Sequence, residues 1–208
     1  RVGDGNLFVD VSTSNVGINT SAPQATLDVR GDLNVGDVNL DTNYTFSQNT
    51  KLLASDGAVS DSFGYSVAID GDTMAVGAFG YDSSKGSAYV FTRDVAGWTQ
   101  RAKLVADDGE GGDYFGTSVA IDGDTVVVGA NGDNSSKGSA YIFTRNTAGD
   151  LTAGWTQRAK LVAEDGMAND SFGWSVAISG DTVVVGAYGD DNYTGSVYVF
   201  TGSGSSWT

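Results

Sequence analysis

The chain of 208 residues contains neither cysteine nor histidine. Without cysteine, the protein can form no disulfide bond and no thiolate metal site, and it has no cysteine nucleophile. Without histidine, it lacks the usual general base at neutral pH, a Ser-His-Asp triad and the ligands of most zinc and iron sites. These two absences disfavour an enzyme.

Positive charge is also scarce. Eleven Lys and Arg residues stand against 26 Asp and Glu, for a net charge of −15. We expect no nucleic-acid partner and no membrane insertion, because phosphate backbones and anionic lipids would repel this chain and no apolar run approaches the roughly 20 residues of a membrane span. The sequence begins at Arg1 rather than Met, so we expect a processed product or part of a longer chain.

Proline is nearly absent, whereas glycine is abundant. Pro23 is the single proline, and the 30 glycines accompany many Val, Thr, Ser, Asp and Asn residues. This composition is typical of β-strands joined by tight turns. The sequence therefore predicts an all-β protein.

One stretch occurs three times with few changes. It reads FGYSVAIDGDTMAVGA, FGTSVAIDGDTVVVGA and FGWSVAISGDTVVVGA at Phe63–Ala78, Phe115–Ala130 and Phe172–Ala187. An aromatic strand follows each copy (GSAYVFT, GSAYIFT, GSVYVFT), and a Lys-Leu run precedes it at Lys51, Lys103 and Lys160. The recurrence indicates a repeat architecture with units at about 51–98, 103–155 and 160–208.

Each unit contains four candidate strands. In the second unit they are Ser118–Ile121, Thr125–Ala130, Ser139–Thr144 and Trp155–Ala163. Asp122-Gly123 between the first two predicts a hairpin, because this turn requires positive φ. Four antiparallel strands in about 50 residues are typical of a β-propeller blade.

The repeat resembles the FG-GAP family, the blade unit of the integrin α-chain propeller and of many bacterial extracellular proteins. Its two halves appear as Phe63-Gly64 with Gly77-Ala78, Phe115-Gly116 with Gly129-Ala130, and Phe172-Gly173 with Gly186-Ala187. The resemblance spans about Lys51–Thr201 and implies three four-stranded blades, a partial β-propeller, in an extracellular protein.

The resemblance does not extend to the calcium site of that family. Many FG-GAP blades hold calcium in a DxDxDG-type loop between the two inner strands. Here the short turns Asp70-Gly71-Asp72, Asp122-Gly123-Asp124 and Ser179-Gly180-Asp181 stand at that place. They supply too few oxygen ligands for calcium, so we expect no cofactor.

Residues 1–43 lie outside the repeat, and residues 44–208 contain it. Leu27, Val29, Leu33, Val35, Val38 and Leu40 alternate with polar residues in short candidate strands. Leu7–Val35 resembles a stretch of trimeric stalks in phage tail fibres and bacterial surface proteins, although Asn19 and Ala22 replace its usual Gly and Ser. The resemblance implies a β-rich stalk segment and trimerisation.

Three blades are too few to close a propeller, which has about four to eight. The end of the chain, Ser206–Thr208, matches only the start of an outer strand, whereas Phe46–Ala54 (FSQNTKLLA) matches an outer strand with no preceding blade. Either the natural protein continues with more blades, or neighbouring chains complete the structure. Our hypothesis is strand exchange between copies, in a trimer or a head-to-tail filament. The candidate assembly residues are Phe46, Leu52, Leu53 and Trp207.

Positions where the three copies differ are candidates for partner contact. Tyr65 and Trp174 follow two of the Phe-Gly pairs, and Phe79 and Tyr188 follow two of the Gly-Ala pairs. Such aromatic side chains can stack on sugar rings or anchor a protein partner. Packing between blades of unequal shape explains them slightly better.

Acidic residues recur in two sets of loops. Asp56 and Asp61, with their equivalents in the other units, can form a cation site or an acid–base pair, but their repetition favours a role in turns. Weak calcium candidates in the later loops are Asp82, Asp133, Asp190 and Asp191. A hairpin connection is the favoured role there, and no catalytic residue is assigned.

The sequence as a whole favours a non-enzymatic, extracellular structural or adhesive protein on a cell or virion surface. Its chains would form a fibre, filament or appendage by β-strand complementation. One alternative is a receptor- or glycan-binding module such as a phage fibre tip. A polysaccharide hydrolase that uses an Asp pair is less favoured.

Overall fold

The computed structural model describes residues 48–208 in full and, ahead of them, the backbone of three short strands. These are β1 (Leu7–Asp10), β2 (Asn15–Ile18) and β3 (Leu27–Val29). β1 and β2 pair antiparallel, and β2 and β3 pair parallel. The strands predicted between residues 30 and 43, and Phe46, lie outside the described residues. The chain divides into two compact units, Arg1–Asn49 and Thr50–Thr208.

The second unit contains three four-stranded antiparallel sheets, which we call blades. The first blade consists of β4 (Ser66–Asp70), β5 (Thr73–Ala78), β6 (Ser87–Asp94) and β7 (Gly97–Leu104). The second consists of β8 (Ser118–Asp122), β9 (Thr125–Ala130), β10 (Ser139–Arg145) and β11 (Trp155–Leu161). The third consists of β12 (Phe172–Ser179), β13 (Thr182–Ala187), β14 (Ser196–Ser203) and β15 (Ser206–Trp207).

Chain order equals strand order in every blade, as the repeat predicts. The predicted hairpin turn is confirmed: Gly123 joins β8 to β9 with φ of +53°, a conformation that glycine adopts without strain. The predicted strands of the second unit are confirmed to within one or two residues at their ends. The all-β fold class with three blades is therefore confirmed.

Each loop between the second and third strands contains one short helical turn. These turns are α1 (Tyr81–Ser84), α2 (Asp133–Ser136) and α3 (Asp190–Tyr193). Three residues in each have positive φ, for example Asp82 with φ of +48°. They are tight turns rather than regular helices, and the sequence did not predict them.

Apolar side chains fill the space between neighbouring blades. Ala75, Ala88 and Val90 of the first blade pack against Phe115, Val119 and Val128 of the second. At the next junction, Val127, Ala140 and Ile142 pack against Phe172, Val183 and Val185. We call the side of a blade that faces the following blade its rear face, and the opposite side its front face.

The prediction that residues 46–54 form an outer strand is wrong for the described part of this stretch. Residues 48–54 form no strand. The outer position of the first blade is already occupied by β7, so these residues have no free strand edge in their own blade. Leu52 and Ala54 instead pack beside Val76 and Tyr89, on the front face of the first blade.

Candidate functional site

Successive blades join through a Phe-Gly turn that docks on the Gly-Ala pair of the blade before it. At the first junction, the hydroxyl of Ser66 donates a hydrogen bond of 2.8 Å to the carbonyl of Gly116. The backbone N–H of Phe115 donates to the carbonyl of Lys85 at 3.1 Å. A Cβ atom on Gly77 would overlap the Gly116 carbonyl oxygen. The motif therefore allows two backbones to approach more closely than any side chain would permit.

The second junction repeats this geometry. The hydroxyl of Ser118 donates to the carbonyl of Gly173 at 2.7 Å, and the N–H of Phe172 donates to the carbonyl of Lys137 at 2.9 Å. A Cβ atom on Gly129 would overlap the carbonyl oxygen of Gly173. The chain thus contains two copies of one interface, in which a rear face meets the front face of the next blade.

A lysine of the outer strand ties each of the first two blades to the loop that precedes it. In the first blade, Lys103 Nζ lies 2.5 Å from Asp56 Oδ2 and 3.1 Å from the centre of the Tyr81 ring. The Tyr89 hydroxyl donates to Asp56 Oδ1 at 2.9 Å. Burial would lower the pKa of Lys103, but its contacts with Asp56, Tyr81 and Tyr89 together outweigh burial and raise that pKa. The hydrogen bond from Lys103 lowers the pKa of Asp56.

The second blade holds its lysine between two carboxylates. Lys160 Nζ lies 2.6 Å from Asp108 and 2.7 Å from Asp133, and the Tyr141 hydroxyl donates to Asp108 at 3.0 Å. Burial opposes the charge of Lys160, but the hydrogen bonds to Asp108 and Asp133 raise its pKa overall. Burial raises the pKa of Tyr141. We call the site that a tyrosine and its two flanking acidic residues form for the outer-strand lysine the lysine slot.

The third blade has the slot without a lysine. The Tyr198 hydroxyl donates to Asp165 at 2.9 Å, and the Ser196 hydroxyl donates to Asp190. Within residues 48–208, no Lys or Arg forms an ion pair with Asp165 or Asp190. Burial, the hydrogen bond to Asp165 and the charge of Asp190 raise the pKa of Tyr198 to about 12. Negative charge therefore accumulates here without the cation that balances it elsewhere.

The outer edge of the third blade is also mostly unpaired. β15 pairs with β14 at Gly202 and Ser203, and Thr208 continues the pairing to Thr201, whereas β11 pairs with β10 from Ala140 to Arg145. A cavity of about 390 Å³ lies at the unpaired edge and is lined by Val162, Glu164, Asp165, Tyr198, Val199, Phe200 and Thr208. In the second blade, β11 occupies the equivalent position beside β10.

The two end faces expose apolar side chains that are buried at the internal junctions. On the rear face of the third blade, Val197 and Val199 are 67% and 60% exposed, whereas the equivalent Ala140 of the second blade is fully buried. On the front face of the first blade, Val67 is 66% exposed, whereas the equivalent Val119 is 8% exposed. Each end face therefore has the composition of a blade junction.

The structure brings the predicted aromatic contact residues together in pairs. Tyr65 and Phe79 pack edge to face with ring centres 4.4 Å apart, and Tyr114 of the next blade adjoins Phe79 at 5.9 Å. Trp174 and Tyr188 pack in the equivalent place on the third blade, 4.6 Å apart. Phe79 of the first pair therefore contacts the next blade, whereas Tyr65 is 56% exposed.

The second pair lines an open groove. Trp174 and Tyr188 are each 45% exposed and border a cavity of about 310 Å³, together with Ser175, Gly186 and Val197. Gly186 corresponds to Gly77 and Gly129, but its Cβ position meets only the Ser175 side chain. The groove is thus the place where a Phe-Gly turn docks in the other two blades.

The predicted assembly residues are divided between the two ends of the repeat. Leu52 packs partly buried on the first blade, and the adjacent Leu53 is largely exposed. Trp207 pairs with Gly202 inside its own blade and packs against the core between the second and third blades. Trp207 therefore occupies the start of the outer-strand position of its own blade.

The weak calcium candidates are separated by the fold. Asp82 lies in α1, Asp133 in α2, and Asp190 and Asp191 in α3. Asp133 pairs with Lys160 and accepts a hydrogen bond from the Ser139 hydroxyl at 2.5 Å. Among the residues that the structure describes, no three acidic side chains converge as a metal site would require. These four carboxylates lie in loops, and that of Asp133 also forms part of a lysine slot.

The earlier acidic residues also stabilise turns. The Asp61 carboxylate accepts a hydrogen bond from the Ala58 N–H at 2.7 Å, and Asp113 accepts one from the Glu110 N–H at 2.6 Å. Burial raises the pKa of Asp113. The same contact recurs between Asp170 and the Met167 N–H at 2.5 Å.

Sequence reasoning missed the lysine slot. Its signal was the spacing from each Lys to the Asp-Gly that follows it, in KLLASDG, KLVADDG and KLVAEDG. That spacing recurs, but the lysine pairs with the Asp of the preceding unit, 47 or 52 residues earlier in the chain. Only the fold shows that pairing.

Comparison with known protein families supports the repeat assignment. The FG-GAP repeat family matches residues 46–91, 98–143 and 155–200, which together are more than half of the chain. A comparison with curated proteins gives no match. No helix in the described part of the chain is long and apolar enough to cross a membrane. FG-GAP repeats typically occur in extracellular proteins, as surface or adhesion modules. The chain belongs to the FG-GAP repeat family and forms three β-propeller-type blades of that family.

Proposed function

We infer that the protein is a non-enzymatic, extracellular structural or adhesive protein. Its chains associate into a fibre, filament or surface appendage on a cell or virion by β-strand complementation. The observation that carries this proposal is the outer edge of β14, which Ser206–Thr208 pair only from Thr201 to Ser203. An exposed strand edge is a template for a further strand, and strand addition is a common mode of protein association.

The other two blades indicate what such a strand would gain. The outer strands at 98–106 and 155–163 have the identical sequence WTQRAKLVA. In the second blade this strand pairs along β10 and buries Leu161 between two blades. The cavity of about 390 Å³ beside β14 offers the same backbone edge and the same apolar surface. A strand of this pattern therefore fits the third blade.

A peptide competition experiment tests the proposal. A synthetic peptide WTQRAKLVA, added in excess to the full chain, should occupy the β14 edge and reduce the sedimentation coefficient of the associated protein. A control peptide carries proline in place of its central alanine, because proline removes a ladder N–H and is excluded from paired strands. Association that both peptides leave unchanged would contradict strand complementation.

Adhesion through the aromatic groove is a second candidate function. It is supported by Trp174 and Tyr188, which expose their rings beside Tyr193 at the rim of a cavity of about 310 Å³. Exposed, rigid rings of this kind can stack on sugars. Glycan-array binding that falls at least tenfold in Trp174→Ala and persists in Tyr65→Ala, whose exposed ring packs on Phe79 away from this groove, would support this candidate.

A further inference from the structure

The FG-GAP match shows that each sequence unit is shared between two blades. The segment 98–143 begins with strand β7, which belongs to the first blade, and ends in β10 of the second. The segment 155–200 is divided in the same way between the second and third blades. The segment 46–91 begins with a similar sequence, but residues 48–54 form no strand and the described residues contain no blade ahead of them. The first unit thus has a strand-like segment to donate.

The donor strand matches the established outer strands at the positions that make contact. FSQNTKLLA at 46–54 shares Gln48, Lys51, Leu52 and Ala54 with WTQRAKLVA. In the first two blades, the shared lysine stands opposite a tyrosine, as in the pairs Tyr89–Lys103 and Tyr141–Lys160. The same register places Lys51 opposite Tyr198 and Leu52 opposite Val197.

The third blade offers the charge that this lysine requires. Asp165 and Asp190 flank Tyr198 as Asp108 and Asp133 flank Tyr141. The counterpart lysine in the second blade makes two ion pairs, at 2.6 and 2.7 Å. Lys51 is exposed, and it is therefore free to enter such a slot. A cation in the slot would balance the charge of carboxylates whose partners here are the Tyr198 and Ser196 hydroxyls.

The end faces fit the same arrangement. Leu52 and Ala54 already pack on the front face of the first blade, just as Leu104 and Ala106 pack on the second. When the first blade of one chain meets the rear face of the third blade of another, the strand is thus delivered beside β14. The exposed Val67 and Val197 would become buried in the same contact, as their equivalents are inside the chain.

The geometry points to a head-to-tail contact between two copies of this chain. Residues 48–54 of one copy complete the outer edge of β14 in the other, with Lys51 between Asp165 and Asp190, and the Phe63-Gly64 turn docks against Gly186. Trp207 already occupies the start of the strand position, so the incoming strand begins at Gln48, opposite Phe200. This contact rests on the proposed function, because it names the partner and the residues of the strand complementation.

A mixing experiment on the full chain tests this contact. Lys51→Glu blocks the donor end, since it places a carboxylate between Asp165 and Asp190, and it should raise the dissociation constant for self-association about 100-fold. Gly186→Ala blocks the acceptor end, since its Cβ would meet the incoming Gly64. Each variant alone should sediment as a monomer with an unchanged circular dichroism spectrum. Mixed together, they retain one intact donor and one intact acceptor and should form a 1:1 dimer of twice the 21.4 kDa chain mass.

A matched control carries the same change of charge away from both ends. Arg158 is exposed on the outer strand of the second blade, so Arg158→Glu should associate as the unaltered chain does. Variants that associate like the unaltered chain, or a mixture that stays monomeric, would overturn the contact while leaving the proposed function standing. An unaltered chain that never associates would overturn the proposed function itself.

Discussion

The close approach of backbones at each blade junction makes Gly129→Ala strongly destabilising. The added Cβ would overlap the Gly173 carbonyl oxygen, which is part of the backbone and cannot turn aside, and also the Ser118 hydroxyl. Overpacking of this kind costs about 1–3 kcal/mol. Moving the two strands apart would also weaken the hydrogen bond from Ser118 to Gly173, worth about 1 kcal/mol. We expect a loss of about 2–4 kcal/mol in the free energy of unfolding.

Gly186→Ala is the matched control, because Gly186 occupies the same place in the third blade and no described Phe-Gly turn docks against it. Its Cβ would meet only the Ser175 hydroxyl, which can rotate. Neither Gly129 nor Gly186 has positive φ, so alanine strains neither backbone. Restricting the unfolded chain contributes about 0.4–1 kcal/mol in favour of alanine. We expect the stability of this control to change by less than about 1 kcal/mol.

Thermal and urea unfolding, followed by circular dichroism, measure the difference. Both substitutions are made in the Lys51→Glu background, so that self-association does not contribute to stability. For a chain of this size, about 1 kcal/mol corresponds to roughly 2–4 °C in Tm. Gly129→Ala should therefore lower Tm by about 5–15 °C, and Gly186→Ala by about 3 °C at most. Equal shifts in the two variants would refute the account of the blade junction.

Three further predictions concern charge and burial. The pKa values of Lys103 and Lys160 are raised in the folded state. Their contribution to stability is therefore present below the ordinary lysine pKa of 10.5 and is lost as pH rises above it. Tm should fall from about pH 10 upward, and a constant Tm there would contradict a stabilising role of these two lysines. Arg145→Met should lower the free energy of unfolding by about 2–4 kcal/mol, because the buried guanidinium of Arg145 pairs with Asp124. Arg93 is the exposed equivalent, so Arg93→Met should lower it by less than about 1 kcal/mol. Urea titrations measure both changes. Phe172→Ala, at a fully buried ring, should cost about 3–5 kcal/mol, and a loss below about 1 kcal/mol would contradict its place in the core.

The sequence was sufficient to predict the blades because their determinants are local. The Asp-Gly turn at Gly123 and the apolar runs on either side of it specify a hairpin within about a dozen residues. The repeat then extends that assignment to all three copies. Strand identity, strand order and the fold class follow from these patterns alone.

The contacts between blades could not be predicted in the same way. Lys160 pairs with Asp108, which is 52 residues away, and Ser118 bonds to a carbonyl 55 residues away. Periodicity says nothing about which turn of one unit meets which strand of another. The outer strand predicted at residues 48–54 is absent for a related reason. A strand-like sequence forms a strand only where it can reach a free strand edge.

The aromatic residues show a third kind of limit. Tyr65 and Trp174 occupy equivalent positions in the repeat and have similar neighbours in the sequence. Tyr65 packs on Phe79, which contacts Tyr114 of the next blade, whereas Trp174 lines an open groove. Their surroundings differ through a contact between units, which the local sequence pattern does not show.

The native mass of the unaltered chain tests the central claim most directly. Sedimentation equilibrium over a 100-fold range of protein concentration should yield masses that are multiples of 21.4 kDa. They should fall toward the single-chain mass on dilution, because the end faces and the β14 edge pair between copies. A mass of 21.4 kDa at every concentration would contradict assembly through these ends.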